Sequence, residues 1–283
     1  MKMSIRRGVS RGFLVAGLRL LPAVLFLLAA NFASAAVTPP TAQATQFTTS
    51  SSLTSFAVPA GTDRVLVVTA SDPTSPTQPS AVTFNGTPMV FVSQANDGSV
   101  ASDSIWVLPL GTGGAASGNI AVSFASGGVK FIGASVFDGV HQTTPAVAGP
   151  TKSVTTGVNV GSSLVVASAV GDRVYDIFDT FLSSAAATVT PTSGQAPIND
   201  GAGAVPSGFG HYVTSHNAGA ANVTMSWTSN SEAILHVTMN LKAAPAGAPT
   251  PSVTNSVTAV NTQSTTGLVI TPNSGSVTHF KIT

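Results

Sequence analysis

The chain has 283 residues, of which only 7% are charged, with 11 Lys and Arg residues against 10 Asp and Glu residues. It contains no cysteine, which excludes a fold held together by disulfides. Glutamate and lysine, which favour helices, are scarce, whereas valine, threonine, serine and glycine are abundant. This composition predicts β-structure with many turns.

The chain begins with a segment that has the three parts of a secretory signal peptide. Residues 1–19 carry five basic residues and no acid, residues 20–30 form an apolar run, and Ala33-Ser34-Ala35 supplies small residues. We expect a signal peptidase to recognise Ala33 and Ala35 and to cleave after Ala35. The apolar run is too short for a permanent transmembrane helix. The protein is therefore expected outside the cell, either secreted or at the cell surface.

Removal of this leader changes the charge balance. Residues 36–283 retain six basic and ten acidic residues, which gives a net charge of −4. No basic patch remains to neutralise phosphates or anionic lipids, which argues against a nucleic-acid partner and a polybasic membrane contact. After cleavage no transmembrane segment is expected.

Short strand-like segments separated by turn signals follow the leader. Arg64–Thr69 contains the continuous apolar run Val65–Val68 and predicts a strand that is buried on both faces. Asn85-Gly86 between Ala81–Phe84 and Thr87–Val92 predicts a hairpin, because a type I′ turn requires positive φ at both central residues. Further strands are predicted at Ser104–Leu108, Asn119–Phe124, Val129–Phe137, Ser163–Val170, Val223–Trp227 and Ala233–Leu241.

These patterns predict an all-β protein, namely an antiparallel β-sandwich of jelly-roll-like type that is preceded by a cleavable signal helix. The least strand-like stretch, Gly171–Gly210, is expected to hold long loops. The expected parts are a signal peptide (1–35), an extended lead-in (36–46), the β-sandwich domain (47–243), a Pro/Ala linker (244–252) and the truncated start of a second β domain (253–283).

Several motifs occur in an order that resembles a known class of protein. Gly61–Val68, Val82–Gly86, Gly139–Pro145 and Val223–Trp227 together resemble the N-terminal β-sandwich domain of large bacterial extracellular multi-domain proteins. Thr266–Asn273 and Val277–Phe280 resemble the opening of a cadherin-like repeat in bacterial surface adhesins. The resemblance implies a surface-displayed module, and it carries over no catalytic residue.

Asp172, Asp176 and Asp179 are the candidate metal ligands. Three of the nine aspartates fall within eight residues, and calcium recruits loop carboxylates. Asp97 or Asp200 could complete such a site from another loop. The alternative is a solvated loop in which Arg173 pairs with one of the acids. Calcium is the one cofactor that the sequence leaves open.

The other chemistry-bearing residues give weaker patterns. Tyr175 and Tyr212 lie in or near predicted loops and are candidates for stacking against a ligand, whereas Trp227 falls on an inward position. His211 and His216 differ by an odd number, which places them on opposite faces of a strand and argues against a shared zinc site. His141 is expected in a structural turn. His236 lies on the less apolar face of its strand, where it would be a surface or inter-sheet residue.

Catalytic patterns are weak. Glu232 is the only glutamate, so a glycosidase pair would need an aspartate from a distant loop. The nucleophile-elbow pattern is missing, and Gly111–Ala116 matches a dinucleotide-binding pattern without the helix which that motif requires.

We therefore expect a non-enzymatic extracellular module of an adhesin-like bacterial protein, whose partner is an unknown extracellular glycan or protein. The alternative is a carbohydrate-binding module, which calcium could assist. A secreted hydrolase is a third reading, and a clustered acid pair or a Ser–His contact in a deep cleft would favour it.

Overall fold

The computed structural model describes residues 36–206 and 208–245, together with the backbone of two short strands at 251–254 and 269–272. Within these residues the chain is all-β, every strand pair is antiparallel and no helix occurs. The predicted antiparallel all-β fold is therefore confirmed. The predicted signal peptide at 1–35, with its expected cleavage residues Ala33 and Ala35, and most of the segment 253–283 lie outside the described residues.

The first half of the folded unit contains nine strands in two facing sheets. The strands are β1 (Ala42–Thr48), β2 (Ser52–Val58), β3 (Gly61–Asp72), β4 (Val82–Phe84), β5 (Thr87–Pro88), β6 (Val90–Asn96), β7 (Ser102–Gly113), β8 (Ala116–Val122) and β9 (Lys130–Phe137). Inner sheet N has the order β1-β9-β3-β7-β6, and outer sheet N has the order β2-β8-β4-β5.

The second half repeats this arrangement with eight strands. The strands are β10 (Ala146–Val154), β11 (Ser162–Ala167), β12 (Arg173–Leu182), β13 (Val189–Pro191), β14 (Ala196–Val205), β15 (Gly208–Ala218), β16 (Asn222–Ser229) and β17 (Ala233–Leu241). Inner sheet C has the order β10-β17-β12-β15-β14, and outer sheet C has the order β11-β16-β13. Beyond this unit, β18 (Pro251–Thr254) pairs with β19 (Val269–Pro272).

Each half has the strand order of a jelly roll. The first and last strands of a half lie side by side in its inner sheet, β1 beside β9 and β10 beside β17, and the chain crosses repeatedly between the two sheets. We call the halves the N-terminal and C-terminal jelly rolls. They belong to one compact unit, whose described residues are 36–206 and 208–245.

The four sheets stack as outer N, inner N, inner C and outer C, with apolar cores between neighbouring layers. The strand β3 shows why its sequence is continuously apolar. Val65 and Val67 face the central core between the two inner sheets, whereas Leu66 and Val68 face outer sheet N. A strand in the middle of such a stack has no solvent-facing side, so the expected alternation of polar and apolar residues disappears.

Several local predictions are confirmed. Asn85 and Gly86 have φ values of 49° and 78°, as a type I′ turn requires, and they join β4 to β5. Trp227 is buried in the core, and His236 lies buried between inner and outer sheet C. Within the expected lead-in at 36–46, residues 42–46 belong to β1, which pairs with β9.

The prediction of long loops over Gly171–Gly210 is wrong. This stretch contains β12, β13, β14 and the first residues of β15. The reason is that Asp176, Asp179 and Thr180 are polar but fully buried, where their side chains bond to other core groups. Their polarity imitates a loop in sequence, although each residue serves a packed strand.

Candidate functional site

The three predicted calcium ligands do not converge. Asp176 and Asp179 are three residues apart on β12, so they lie on opposite faces of inner sheet C. Asp176 bonds to residues of the outer sheet, whereas Asp179 faces the central core. Asp172 lies immediately before β12 and accepts bonds from the backbone N–H groups of Ala169 and Ala243. We therefore assign none of the three as a metal ligand.

Asp176 is the acceptor at the centre of a buried polar cluster. Its Oδ2 atom accepts from the Trp227 indole N–H at 2.7 Å, from His236 Nε2 at 3.0 Å and from Gln195 Nε2 at 3.5 Å. Its Oδ1 atom accepts from the Ser215 N–H at 3.0 Å and from the Ser215 hydroxyl. The carboxylate therefore joins strands of both C-terminal sheets.

Ser162, His236 and Asp176 have the residue types of a hydrolase triad but not its arrangement. The Ser162 hydroxyl lies 2.8 Å from His236 Nδ1, and Asp176 contacts Nε2, which reverses the two nitrogens relative to a serine-protease triad. His236 and Asp176 have no exposed surface, and Ser162 is 4% exposed. The Ser–His contact therefore exists, but it lies in a packed core and not in a cleft.

The two tyrosines predicted to contact a ligand are core residues. Tyr175 and Tyr212 are 0% and 1% exposed, and both face the central core. Tyr175 packs edge-on against Phe137, and Tyr212 stacks on Phe131. The prediction that they offer a surface for stacking is therefore wrong. The cause is that β12 and β15 are strands of the four-layer stack.

Asp103 and Asp179 form a buried acid pair in the same central core. Asp103 belongs to β7 of the N-terminal jelly roll and Asp179 to β12 of the C-terminal one. Burial, together with the nearby charge of Asp179, raises the pKa of Asp103 well above its usual range. Burial also raises the pKa of Asp179 to about 7. Sequence reasoning gave Asp103 no role, because its partner lies on a strand distant in sequence.

The histidines have structural partners. His211 Nε2 lies 2.8 Å from Asp200 Oδ1, whereas His216 Nδ1 lies 2.9 Å from the Arg173 guanidinium. Burial and the Arg173 charge lower the pKa of His216 to about 4, so its imidazole is neutral at physiological pH. His141 Nδ1 accepts from the backbone N–H of Thr144 at 3.1 Å, which confirms its predicted turn role.

A buried lysine lies at one end of inner sheet N. Lys130 Nζ donates to Asp72 Oδ1 at 2.5 Å, to Thr74 Oγ1 at 2.8 Å, to Ser126 Oγ at 2.7 Å and to the Gly127 carbonyl at 3.0 Å. Both members of the ion pair are buried, at 2% and 0% exposure. Four oxygen acceptors hold the ammonium, so this cluster is a structural tie between the end of β3 and the start of β9.

An open cleft brings together two carboxylates from different jelly rolls. It has a volume of about 220 Å³. Its N-terminal wall is the loop Asp97–Ala101, and its C-terminal wall contains Phe181–Ser183 and Glu232. Asp97 and Glu232, which are distant in sequence, therefore line the same cleft. We call this feature the acidic cleft.

The two carboxylates of the acidic cleft are held differently. Asp97 Oδ1 accepts from the backbone N–H groups of Ser99, Val100 and Ala101 at 2.9, 2.7 and 2.9 Å. Partial burial raises the pKa of Asp97, but these bonds outweigh it and lower the pKa overall, so the group is ionised at neutral pH. Glu232 Oε1 accepts from the Ser183 hydroxyl at 3.0 Å. Val100, beside them, is 47% exposed.

A second cleft is apolar and lies where the edge strands β6 and β10 meet. Its volume is about 240 Å³, and Val90, Phe91, Pro109 and Pro145 are among its lining residues. Val90 is 60% exposed and Phe91 39%. It offers contact area but no charged group.

Comparison of the chain with family models, with curated proteins and with solved structures gives no match. Among residues 36–206 and 208–245, no group of three or more His, Cys, Asp or Glu side chains could hold a metal ion. The described part of the chain also contains no helix with the length and hydropathy needed to cross a bilayer.

Proposed function

We propose that this chain is an extracellular, non-enzymatic binding module of an adhesin-like bacterial surface protein, and that it contacts its ligand at the acidic cleft. The signal peptide and the resemblance of the motifs support the location. The observation that carries the binding site is the convergence of Asp97 and Glu232, from different jelly rolls, in one open cleft. Because both jelly rolls form its walls, a ligand there would depend on their packing.

The chemistry of the cleft favours a neutral, hydroxyl-rich ligand, and a glycan is the first class to test. Carboxylates accept hydrogen bonds from hydroxyl groups, and these charge-assisted bonds are stronger than neutral ones. The exposed side chain of Val100 offers apolar surface to the C–H face of a sugar ring. A protein ligand remains the second class.

The test is a glycan array and an array of extracellular matrix proteins, probed with the secreted chain with and without a calcium chelator. We expect binding that falls at least tenfold in Glu232→Gln, which keeps the Ser183 bond but removes the charge. Asp63→Asn, an acid-to-amide change outside the cleft, serves as the matched control. If the wild-type chain binds neither array in either condition, the proposal is wrong.

Hydrolysis is not proposed, because the Ser162–His236–Asp176 cluster lies in a packed core, and Asp97 and Glu232 line an open cleft and not a deep one. A fluorophosphonate probe, which labels reactive serines, distinguishes a binding module from a serine hydrolase. Covalent labelling of Ser162 in the folded protein would show that the cluster opens to solvent and would favour a hydrolase.

A further inference from the structure

The central core between the jelly rolls is mainly apolar but contains buried polar side chains, among them Asp103 and Asp179. Asp103 is 0% exposed and Asp179 is 3% exposed. Ser71 of β3 lies opposite Asp103 in the β3–β7 ladder, and its hydroxyl donates to Asp179 Oδ2 at 2.7 Å. Ser71 therefore contacts both acids: its hydroxyl donates to Asp179 of the C-terminal jelly roll, and its backbone pairs with Asp103 of the N-terminal one.

The two carboxyl groups differ in their donors. Asp179 accepts from Ser71 through Oδ2 and from the Thr180 N–H at 2.8 Å through Oδ1. Within the described residues, neither oxygen of Asp103 has such a donor, because the single Ser71 hydroxyl hydrogen is used on Asp179. The Asp103 carboxyl does lie within hydrogen-bond reach of Asp179. A protonated Asp103 would therefore donate its hydrogen bond to the Asp179 carboxylate.

No cation faces this pair among the described residues. The titratable groups that inner sheet C adds to this face include Tyr175 and Tyr212, whose hydroxyls are neutral because burial raises both pKa values above 10. His216 packs on Phe137 and is neutral because burial and the Arg173 charge lower its pKa to about 4. Arg173 lies at the opposite end of β12 from Asp179 and bonds to His216 and to the Val37 carbonyl. His211 lies on the opposite face of that sheet and acts on Asp179 only at long range. Inner sheet N adds hydroxyl groups, and Lys130 on β9 is bound to Asp72 on its other face. Two ionised carboxylates here would be uncompensated.

We propose that Asp103 and Asp179 share one proton, with Asp103 as its donor and Asp179 as its acceptor, and that this proton joins the two jelly rolls. The bond runs from β7 of one jelly roll to β12 of the other. When the proton leaves, the bond is replaced by repulsion between two buried like charges. Rising pH therefore loosens the contact between the jelly rolls, including the walls of the acidic cleft.

The sign of the pH dependence follows from linkage. An unfolded aspartate loses its proton near pH 4, whereas burial raises the pKa of Asp179 to about 7 and that of Asp103 well above its usual range. Between these limits the folded protein holds a proton that the unfolded chain has lost. The contribution to stability is fully present below about pH 4 and is lost as the pH rises, by up to about tenfold in the unfolding constant per pH unit.

The direct test is isotope-edited infrared spectroscopy of the wild-type chain labelled at its aspartates. We expect the C=O band of one protonated carboxyl group at pH 7, a band that disappears at higher pH. The band should disappear at a lower pH in Asp103→Asn than in wild type, because the variant keeps only Asp179, whose pKa burial raises to about 7. Absence of the band from the wild-type protein at pH 7 would overturn the proposal, and this measurement does not depend on whether a variant folds.

The second test is urea unfolding of wild type and Asp103→Asn between pH 5 and pH 9. Wild type should lose stability faster with rising pH, so that the variant becomes the more stable of the two at pH 9. Asp63→Asn is the control and should follow wild type throughout. Parallel curves for wild type and Asp103→Asn would contradict the proposal. A chelator that lowers the stability of wild type but not that of Asp103→Asn would also contradict the proposal, because the pair would then bind a cation.

Discussion

At the residue scale, the polar groups that looked like a functional cluster in sequence are core groups with specific partners. Asp176 accepts from Trp227, His236, Gln195 and Ser215, and all of these bonds lie out of contact with water. A buried acceptor of this kind has a high penalty for removal, since the donors left behind lose their partner without regaining water. The cluster therefore fixes how the C-terminal sheets meet.

We predict that Asp176→Asn destabilises the protein by about 3–5 kcal/mol, the cost of removing one member of a buried charged network. The amide keeps the size of the side chain but presents an N–H group to donors that need an acceptor. Urea unfolding followed by tryptophan fluorescence measures the loss. Asp63→Asn should change the free energy of unfolding by less than about 0.5 kcal/mol.

Trp227→Phe separates the hydrogen bond from the packing. The indole stacks on Phe178 and donates to Asp176, and phenylalanine keeps only the stacking. We expect a loss of about 1–3 kcal/mol, and the double variant with Asp176→Asn should lose less than the sum of the two single losses. Strict additivity in this double-mutant cycle would mean that the two side chains are not energetically coupled.

At the element scale, the edge strand β14 depends on glycines that admit aromatic rings from the opposite sheet. A methyl group at Gly201 would overlap the ring of Phe131, and one at Gly203 would overlap Phe47. Phe131 is itself buried and stacked on Tyr212, so it has little room to move. Neither glycine has a positive φ, so the requirement is one of space.

We predict that Gly201→Ala destabilises the protein by about 1–3 kcal/mol, because overpacking outweighs the gain of about 0.4–1 kcal/mol from a less flexible unfolded chain. Gly127→Ala is the matched control, since a methyl group there meets nothing within 4 Å. The two variants should therefore shift the urea midpoint in opposite directions. A stabilising effect of Gly201→Ala would show that Phe131 relaxes freely.

The sequence allowed the prediction of elements whose residues are apolar, but not of those whose polar residues are buried. β3 was predicted because apolar side chains cover both faces, β17 because apolar residues alternate along one face, and the Asn85-Gly86 turn because its chemistry is specific. The segment that forms β12 was predicted to be a loop, because Asp176 and Asp179 form their hydrogen bonds only in the folded chain. Burial of Tyr175 and Tyr212 was missed for the same reason.

The internal repeat did leave a trace in the sequence. Asn119–Ser126 and Asn222–Ser229 share Asn, Ser and Ser at equal spacing, with apolar residues between them. The first segment begins within β8 and continues past its end, and the second forms the equivalent strand β16. A search for internal repeats would have pointed to two jelly rolls instead of one sandwich. The acidic cleft could not be predicted from such patterns, because its walls come from loops that are distant in sequence.

At the scale of the whole molecule, the two jelly rolls meet through an interface with approximate twofold character. β1 packs against β14, and β6 packs against β10. Exchanging the two halves exchanges these contacts, as in an isologous dimer. The central core between the inner sheets draws on both halves, with Val67 and Ile105 from one and Ile177 and Val237 from the other.

We therefore predict that neither jelly roll is a stable soluble monomer by itself. A fragment that ends at Thr143, in the exposed turn between β9 and β10, would expose the central face of inner sheet N, including Val65, Ile105 and Phe137. An apolar face of that kind drives association. Expressed alone, the fragment should dimerise through this face or aggregate, and it should bind an apolar dye such as ANS.

Co-expression of this fragment with residues 144–283 should restore one complex with the mass of the intact chain and a single cooperative thermal transition. Size-exclusion chromatography and calorimetry measure both properties, with the uncut protein as the control. The interface needs no covalent connection to form, because its apolar faces and the Asp103–Asp179 contact all act between side chains. A monomeric N-terminal fragment that unfolds cooperatively without binding dye would show instead that each jelly roll is an independent domain.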